Sequence, residues 1–378
     1  MSKPPSPPAA SRLTIDLDAI VGNWRRLNAL GHGAETGAAV KADAYGLGAE
    51  RIIPVLKKAG CRSFFTAYPG EGVAARNVMA EARIFVLGGL SAESAPAFVE
   101  HRLIPVLNNI AEIDLWRRVA VDARRSLACA LHFDTGMNRL GVEAAEAERI
   151  FAEPERLNGI EPVLVMSHLA CSDQPDHPMN ADQLHRFEAI RAHFPGVPGS
   201  LANSGGVMSD RGLACDLTRP GIALYGGHAL ATGAGPIKPV VTFEARILQI
   251  RRANKGETVG YGATTTLNRD SVIAIAAAGY TDGYLRSASG SGVPLREACA
   301  GAKGAIGEHV VPILGRISMD LTAFDVTDMP DTVLEKVEWV ELIGRTIPLD
   351  DFAAAAGTIG YEVLTRIGSR AEKVYVGG

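Results

Sequence analysis

From about residue 13 to about residue 235, short apolar runs alternate with amphipathic stretches, and no other feature restricts the fold of this chain so strongly. The runs Gly37–Val40, Ser63–Ala67, Ile84–Leu87, Leu103–Leu107, Ala128–Phe133, Pro162–Met166 and Gly199–Ala202 read as strands. Between them, Ala49–Lys58 carries Ile52, Ile53 and Leu56 on one helical face, and Gly70–Met79 has a similar period. Parallel strands need a crossover long enough for a helix, so this alternation predicts a parallel sheet. About eight strand candidates in roughly 225 residues fit a (β/α)8 barrel of the TIM type.

Past the glycine-rich stretch Thr232–Gly235 the rhythm changes. Phe243–Ile250, Val272–Ala276, Val311–Leu314, Leu321–Val326 and Val337–Ile343 read as strands, with helical periods only at Leu349–Ala355 and Tyr361–Ile367. The expected organisation is an α/β chain: a tail over 1–11, a barrel over 12–238 and a mostly β domain over 239–378. A net charge of −4 leaves no basic stripe for nucleic acid, and 47% hydrophobic residues exclude general disorder. Val272–Tyr280, the longest nearly apolar run, is about half of a bilayer span, so no membrane partner is expected. Five scattered cysteines form no CxxC pair, and MSKPPSPPAASR has prolines where a signal peptide needs an apolar core. A cytoplasmic address is expected.

Lys41 ends the run Gly37–Val40, at the strand end where barrels place their chemistry. A lysine against apolar walls has a lowered pKa suited to Schiff-base chemistry, although exposed strand-end lysines are commoner. Leu217–Ile222 places Arg219 before Pro220-Gly221, in the region where barrels bind phosphate, and Asn203-Ser204 precedes it by one βα unit. Ala202-Asn203-Ser204-Gly205-Gly206 lacks the first glycine of a nucleophile elbow, which argues against a serine hydrolase. Gly46-Leu47-Gly48 lacks the third glycine of a dinucleotide fingerprint. His168, Cys171, Asp173, Asp176 and His177 have no metal-ligand spacing, and no metal is expected. Asp134–Arg139 suits an anion site or a plain turn, and glycines flank Tyr261.

Taken together these residues resemble the alanine racemases. The resemblance rests on Ala39-Val40-Lys41-Ala42-Asp43-Ala44-Tyr45-Gly46, Asp134-Thr135-Gly136-Met137, Arg139-Leu140-Gly141, Ser167-His168-Leu169-Ala170, Asn203-Ser204 and Arg219-Pro220-Gly221-Ile222-Ala223-Leu224-Tyr225-Gly226. It continues through Val259-Gly260-Tyr261-Gly262, Gly279-Tyr280-Thr281-Asp282-Gly283-Tyr284, Gly315-Arg316-Ile317-Ser318-Met319-Asp320 and Tyr361-Glu362-Val363-Leu364, from about Arg12 to the end. It implies the barrel, a β domain joined by the strand near Leu13–Asp16, and a head-to-tail homodimer. It also implies pyridoxal 5'-phosphate held covalently by Lys41. Tyr45, Ser204, Gly221, Ile222 and Tyr361 would hold its phosphate, and Arg219 would face the pyridine nitrogen. A guanidinium there disfavours a protonated ring, weakening the electron sink and with it transamination.

The resemblance further implies two bases, Lys41 and Tyr261 of the partner subunit, with a tyrosine–histidine–arginine chain through His168 and Arg219. Arg139 and the Met319 backbone would hold the substrate carboxylate, supported by Asp320, with Asn203 behind the phosphate residues. Asp173, Tyr284 and Arg286 would line the entrance, and Tyr361 would crowd the side-chain pocket in favour of a methyl group. The expected activity interconverts L- and D-alanine, supplying D-alanine for cell walls or catabolising it. The rivals are a serine, lysine or broad-specificity racemase, a decarboxylase of the same fold, and a non-enzymatic carrier of the cofactor built on a lone barrel. Arg219 argues against the decarboxylase and the second domain against the carrier. This chain departs from the family at His132, where many members have a carbamylated lysine, at Ser318 for a frequent cysteine, and at Gly205-Gly206 for small alanines.

Overall fold

The structure, a computed structural model, describes residues 9–232, 235–293 and 301–378. Most of the expected tail (residues 1–8) and Cys299 lie outside the described residues. The chain divides into two units, residues 20–238 and residues 1–19 with 239–378. Strand β1 (Ser11–Asp16) opens the second unit, and helix Leu17–Leu30 leads out of it.

The 20–238 unit is a ring of parallel strands. Gly37 interrupts the first strand, leaving β2 (Glu35–Thr36) and β3 (Ala38–Ala39). Then come β4 (Ser63–Thr66), β5 (Arg83–Val86), β6 (Ile104–Leu107), β7 (Leu127–His132), β8 (Ile160–Met166), β9 (Gly199–Ser200) and β10 (Leu217–Thr218). Strands β3 to β9 pair in chain order, and β10 pairs with β2. Backbone bonds from Asp216 N to Gly199 O and from Arg219 N to Ala202 O join β10 to β9, which closes the ring. Strands such as β4, with all four residues buried, read as unbroken apolar runs because side chains on both faces leave water.

Helices cover the strands as the periodicity predicts. Helix Ala49–Ala59 buries Ile52, Ile53 and Leu56, each contributing about 1.5–3 kcal/mol. It stops at Gly60, whose left-handed φ of 115° lets the cap amide reach back to Leu56 O and Lys57 O.

The other unit is built on β11 (Val241–Ala253), 13 residues of alternating burial in its first half. Short β12 (Thr258–Val259) and β13 (Thr265–Thr266) form a hairpin. The remaining strands are β14 (Ser271–Ala276), β15 (Lys303–Ile306), β16 (His309–Leu314), β17 (Thr322–Asp325), β18 (Trp339–Ile343) and β19 (Glu372–Val376). Their order is β14-β17-β16-β15-β18-β11-β1-β19, and β11 also pairs with β14, so the sheet closes on itself. An irregularity between Ile247 and Gln249 lets one long strand serve these different neighbours. β1 runs antiparallel to β11 and parallel to β19.

Candidate active site

Five candidate site residues of the barrel unit follow strand C-termini: Lys41 after β3, Arg139 after β7, His168 after β8, Ser204 after β9 and Arg219 after β10. Lys41 begins an unusual turn. Ala42, Asp43, Ala44 and Tyr45 all have left-handed φ values, from 53° to 59°. For non-glycine residues this costs roughly 1–2 kcal/mol each, so the surroundings must impose it. The turn is held by Ala44 N to Val40 O (2.9 Å), Gly46 N to Ala42 O (2.7 Å) and Ala49 N to the Asp43 carboxylate (2.8 Å). Its entering amide, Ala42 N, donates to Glu71 Oε1 at 2.8 Å. Lys41 is half-buried, and desolvation lowers its pKa. The charge of Arg139 acts in the same direction and that of Glu71 against it.

Ser204, Gly221 and Tyr45 converge nearby. Ser204 Oγ accepts from Gly221 N at 2.8 Å and from Ala223 N at 3.3 Å. A Cβ on Gly221 would collide with the Tyr45 hydroxyl, so only glycine lets that hydroxyl approach the backbone. A Cβ on Gly205 would lie 2.6 Å from Ser172 O and one on Gly206 2.8 Å from Leu169 Cδ1, which accounts for glycine where small alanines are usual. Asn203 caps the short helix Ser204–Met208 by accepting from Gly206 N. Two hydroxyls beside backbone amides, in a cradle that a side chain would fill, match the donor set a phosphate group needs.

Arg219 is buried, and among the described residues no carboxylate is a hydrogen-bond partner of it. It donates to Ser200 Oγ, to Ser167 O (2.6 Å), to Leu201 O (3.4 Å) and to His168 Nδ1 (3.3 Å). Burial pushes its pKa down to about 10, so it stays charged at neutral pH. Because a guanidinium only donates, His168 Nδ1 must accept, leaving the imidazole proton on Nε2. Burial and the Arg219 charge hold His168 well below its usual range, so it is neutral. His132 is also buried, and its Nδ1 lies 2.8 Å from Asn108 Oδ1. The Asn108 amide donates to Val106 O, fixing its orientation, so His132 carries its proton on Nδ1. No hydrogen bond engages the exposed Arg139 guanidinium among the described residues, although its field reaches Lys41, His132 and His168.

His132 also predicts a pH dependence of stability. Burial pushes its pKa down to about 4, against 6.5 for an ordinary histidine. Between those values the unfolded chain binds the proton that the folded chain refuses, so stability falls as pH drops through this window. One such group contributes up to about 3 kcal/mol, and His168 acts in the same direction. Urea midpoints measured from pH 7 to pH 4.5 should therefore decline, with a shallower slope for His132→Asn. A midpoint independent of pH would contradict this account.

In the other unit, Tyr261 stands 72% exposed between Gly260 and Gly262, both at positive φ. A Cβ on Gly262 would lie 2.7 Å from the Arg316 guanidinium, so the glycine flank admits that side chain. Gly279 has the same role at the next loop: a Cβ there would strike Ser318 O and Met319 O. Tyr280 N donates to Ser318 O, and Thr281 N and Oγ1 to Met319 O, which joins the loops carrying Tyr280 and Met319. Asp320 is held by Arg370 at 2.8 Å.

One expectation is corrected here. Tyr284 cannot line an entrance: it is 0% exposed, stacked on Phe352 at 4.7 Å, with burial raising its pKa. The exposed tyrosine of that motif is Tyr280. Arg286 is exposed and borders a cavity of about 190 Å³ with Arg316, and Asp173 is exposed in the barrel unit. Tyr361, on helix Gly360–Arg366, belongs to the β-rich unit, as do Tyr261, Met319 and Asp320, so the barrel unit by itself does not gather them with Lys41.

The weaker signals resolve as local structure. The Asp134 carboxylate accepts from the amides of Gly136, Met137 and Asn138, a turn closed on itself. Gly46 and Gly48 supply left-handed backbone. His177 caps helix Pro178–Arg191, and Asp176 pairs with Arg211. Among the described residues no three His, Cys, Asp or Glu side chains are grouped to hold a metal.

Comparison with known proteins agrees with this arrangement. Residues 15–229 match the family described as alanine racemase, N-terminal domain, and residues 240–375 match its C-terminal domain. An alanine racemase of Rhizobium meliloti is 47% identical with all of both chains covered. A biosynthetic alanine racemase of Agrobacterium fabrum is 47% identical over 97% of this chain and 94% of its own. The crystal structure of alanine racemase from Bartonella henselae with covalently bound pyridoxal phosphate superimposes with a TM-score of 0.88 at 34% identity, covering 98% of this chain and 100% of that one. Both halves of the chain, the lysine-bearing barrel and the tyrosine-bearing sheet, thus belong to the alanine racemase family.

Proposed function

We propose that this chain interconverts L- and D-alanine as a cytoplasmic homodimer, with Lys41 serving one face of the substrate and Tyr261 of the partner subunit the other. The observation that carries the reading is the meeting of three groups at one barrel rim: a half-buried lysine of lowered pKa, a glycine cradle with two hydroxyls, and a buried arginine bonded, among the described residues, to neutral acceptors.

The residues fit pyridoxal phosphate. That group, when bound, forms a covalent link to an amine through its aldehyde and draws electrons from the attached α-carbon. Tyr45, Ser204, Gly221 and Ile222 would hold the phosphate, with Tyr361 as a further hydroxyl. Arg219 would face the ring nitrogen, and its charge would disfavour a proton there. Arg139, whose guanidinium makes no hydrogen bond among the described residues, receives the substrate carboxylate with the Met319 backbone, and Asp320 supports them.

Lys41, neutral more readily than an ordinary lysine, takes or returns the α-proton on its face. Tyr261 acts on the opposite face. His168, holding its proton on Nε2, donates to the tyrosine oxygen and lowers the cost of its charge, while Arg219 fixes the imidazole. A base so exposed in its own unit is consistent with service in a second subunit, as are the neighbouring exposed apolar side chains of Met319, Leu321 and Tyr280. No helix among the described residues is long and apolar enough to cross a membrane.

Borohydride reduction of the loaded protein, followed by peptide mass analysis, should find the cofactor on Lys41. A label on any other lysine would overturn the assignment.

A further inference from the structure

Glu71 belongs to none of the motifs above. It lies in the first turn of helix Pro69–Val78, which follows β4, the strand next to β3. Its two carboxylate oxygens go to different places. Oε2 accepts from Ala67 N at 2.7 Å, at the start of its own helix, while Oε1 accepts from Ala42 N at 2.8 Å. Ala42 follows Lys41 directly and is the first residue of the left-handed turn. One carboxylate therefore ties the ends of two adjacent barrel strands together, at the amide where the backbone enters its strained conformation.

From this geometry we infer that Glu71 is a positioning residue: it clamps the turn that aims the Lys41 amine. The inference rests on the reading of Lys41 as the reactive amine. A carboxylate suits the task because both partners are N–H donors and both oxygens are acceptors. Glutamine retains a single acceptor oxygen, so in Glu71→Gln either Ala42 N or Ala67 N must face an NH₂ group. The negative charge beside Lys41 also goes, and that charge is what opposes the lowering of the lysine pKa.

The test separates clamping from helix capping and from failure of the Lys41 reading. In apoprotein, the rate at which Lys41 takes up free pyridoxal, trapped by borohydride and counted by peptide mass, is measured against pH for wild type, Glu71→Gln and Glu71→Asp. Loss of the clamp predicts a pyridoxal rate at Lys41 at least about fivefold lower in Glu71→Gln, once corrected for the altered fraction of neutral amine. In loaded enzyme it predicts kcat reduced about 10- to 100-fold with KM for alanine changed less than about threefold, as befits a misaimed group. Glu71→Asp, which keeps the charge but loses reach, should restore the pH dependence of labelling and not the rate. A lower melting temperature with wild-type labelling and wild-type kcat would leave Glu71 only a cap and overturn the proposal. If Glu71→Gln does not fold, Glu71→Asp decides by the same rates. A wild-type protein that takes up the cofactor at another lysine would instead refute the reading of Lys41.

Discussion

Lys41→Ala is expected to lose more than about 10⁴-fold in racemisation in both directions, because in the proposed function one side chain supplies both the covalent anchor and a base. Polarimetry with L- and D-alanine measures the loss. The fold should survive, since Lys41 is half-buried and its turn is held by backbone bonds and by Glu71. Residual activity within about tenfold of wild type would show that another amine does the work. The same protein should bind pyridoxal phosphate weakly and reversibly, because the cradle of Tyr45, Ser204 and Gly221 remains.

Tyr261→Phe should reduce racemisation by about 10²- to 10⁴-fold, the usual worth of a positioned acid–base group. Its distinctive result is asymmetric. Exchange of the α-hydrogen with deuterium should persist for the enantiomer whose hydrogen faces Lys41 and fall for the other; equal losses would refute a one-sided role. Phenylalanine keeps the ring, and with Tyr261 so exposed, little packing depends on the hydroxyl. If sites are shared between subunits, mixing Lys41→Ala with Tyr261→Phe chains should build one intact site per mixed dimer, recovering roughly a quarter of wild-type activity after random exchange. No recovery, with subunit exchange demonstrated, would count against sharing.

The barrel was legible because its strands are buried on both faces and its helices carry a clean period. Ser63–Thr66 and Ile52, Ile53, Leu56 are examples. The strands that escaped notice have physical reasons to be quiet. In Lys303–Ile306, Gly304 sits where a Cβ would meet Phe324 and Val340 at 2.8 Å, so packing there requires the absence of a side chain. Glu372–Val376 carries two charged residues and no buried one, and its pairing with β1 spans nearly the whole chain.

The motifs mark the candidate site residues, but they do not carry the local geometry. Nothing in Ala-Asp-Ala-Tyr signals four left-handed residues, whose turn is closed by bonds within residues 40–49 and tied at its first amide to a distant carboxylate. Glu71, which supplies that carboxylate, looks in sequence like any acidic residue in a helix's first turn. The two tyrosines of Gly279–Tyr284 are alike in sequence. Only the short turn Tyr280–Asp282 and the stacking on Phe352 decide which one faces solvent.

The placement of β1 has a consequence for how the molecule is made. The earliest described strand to leave the ribosome has no partner until β11 follows, and its other edge waits for β19 near the end of synthesis. The barrel unit contains all its own strands and can close while the chain is still growing. The eight-stranded sheet of the unit that carries Tyr261 cannot, so that unit is completed only after the rest of the chain has been made.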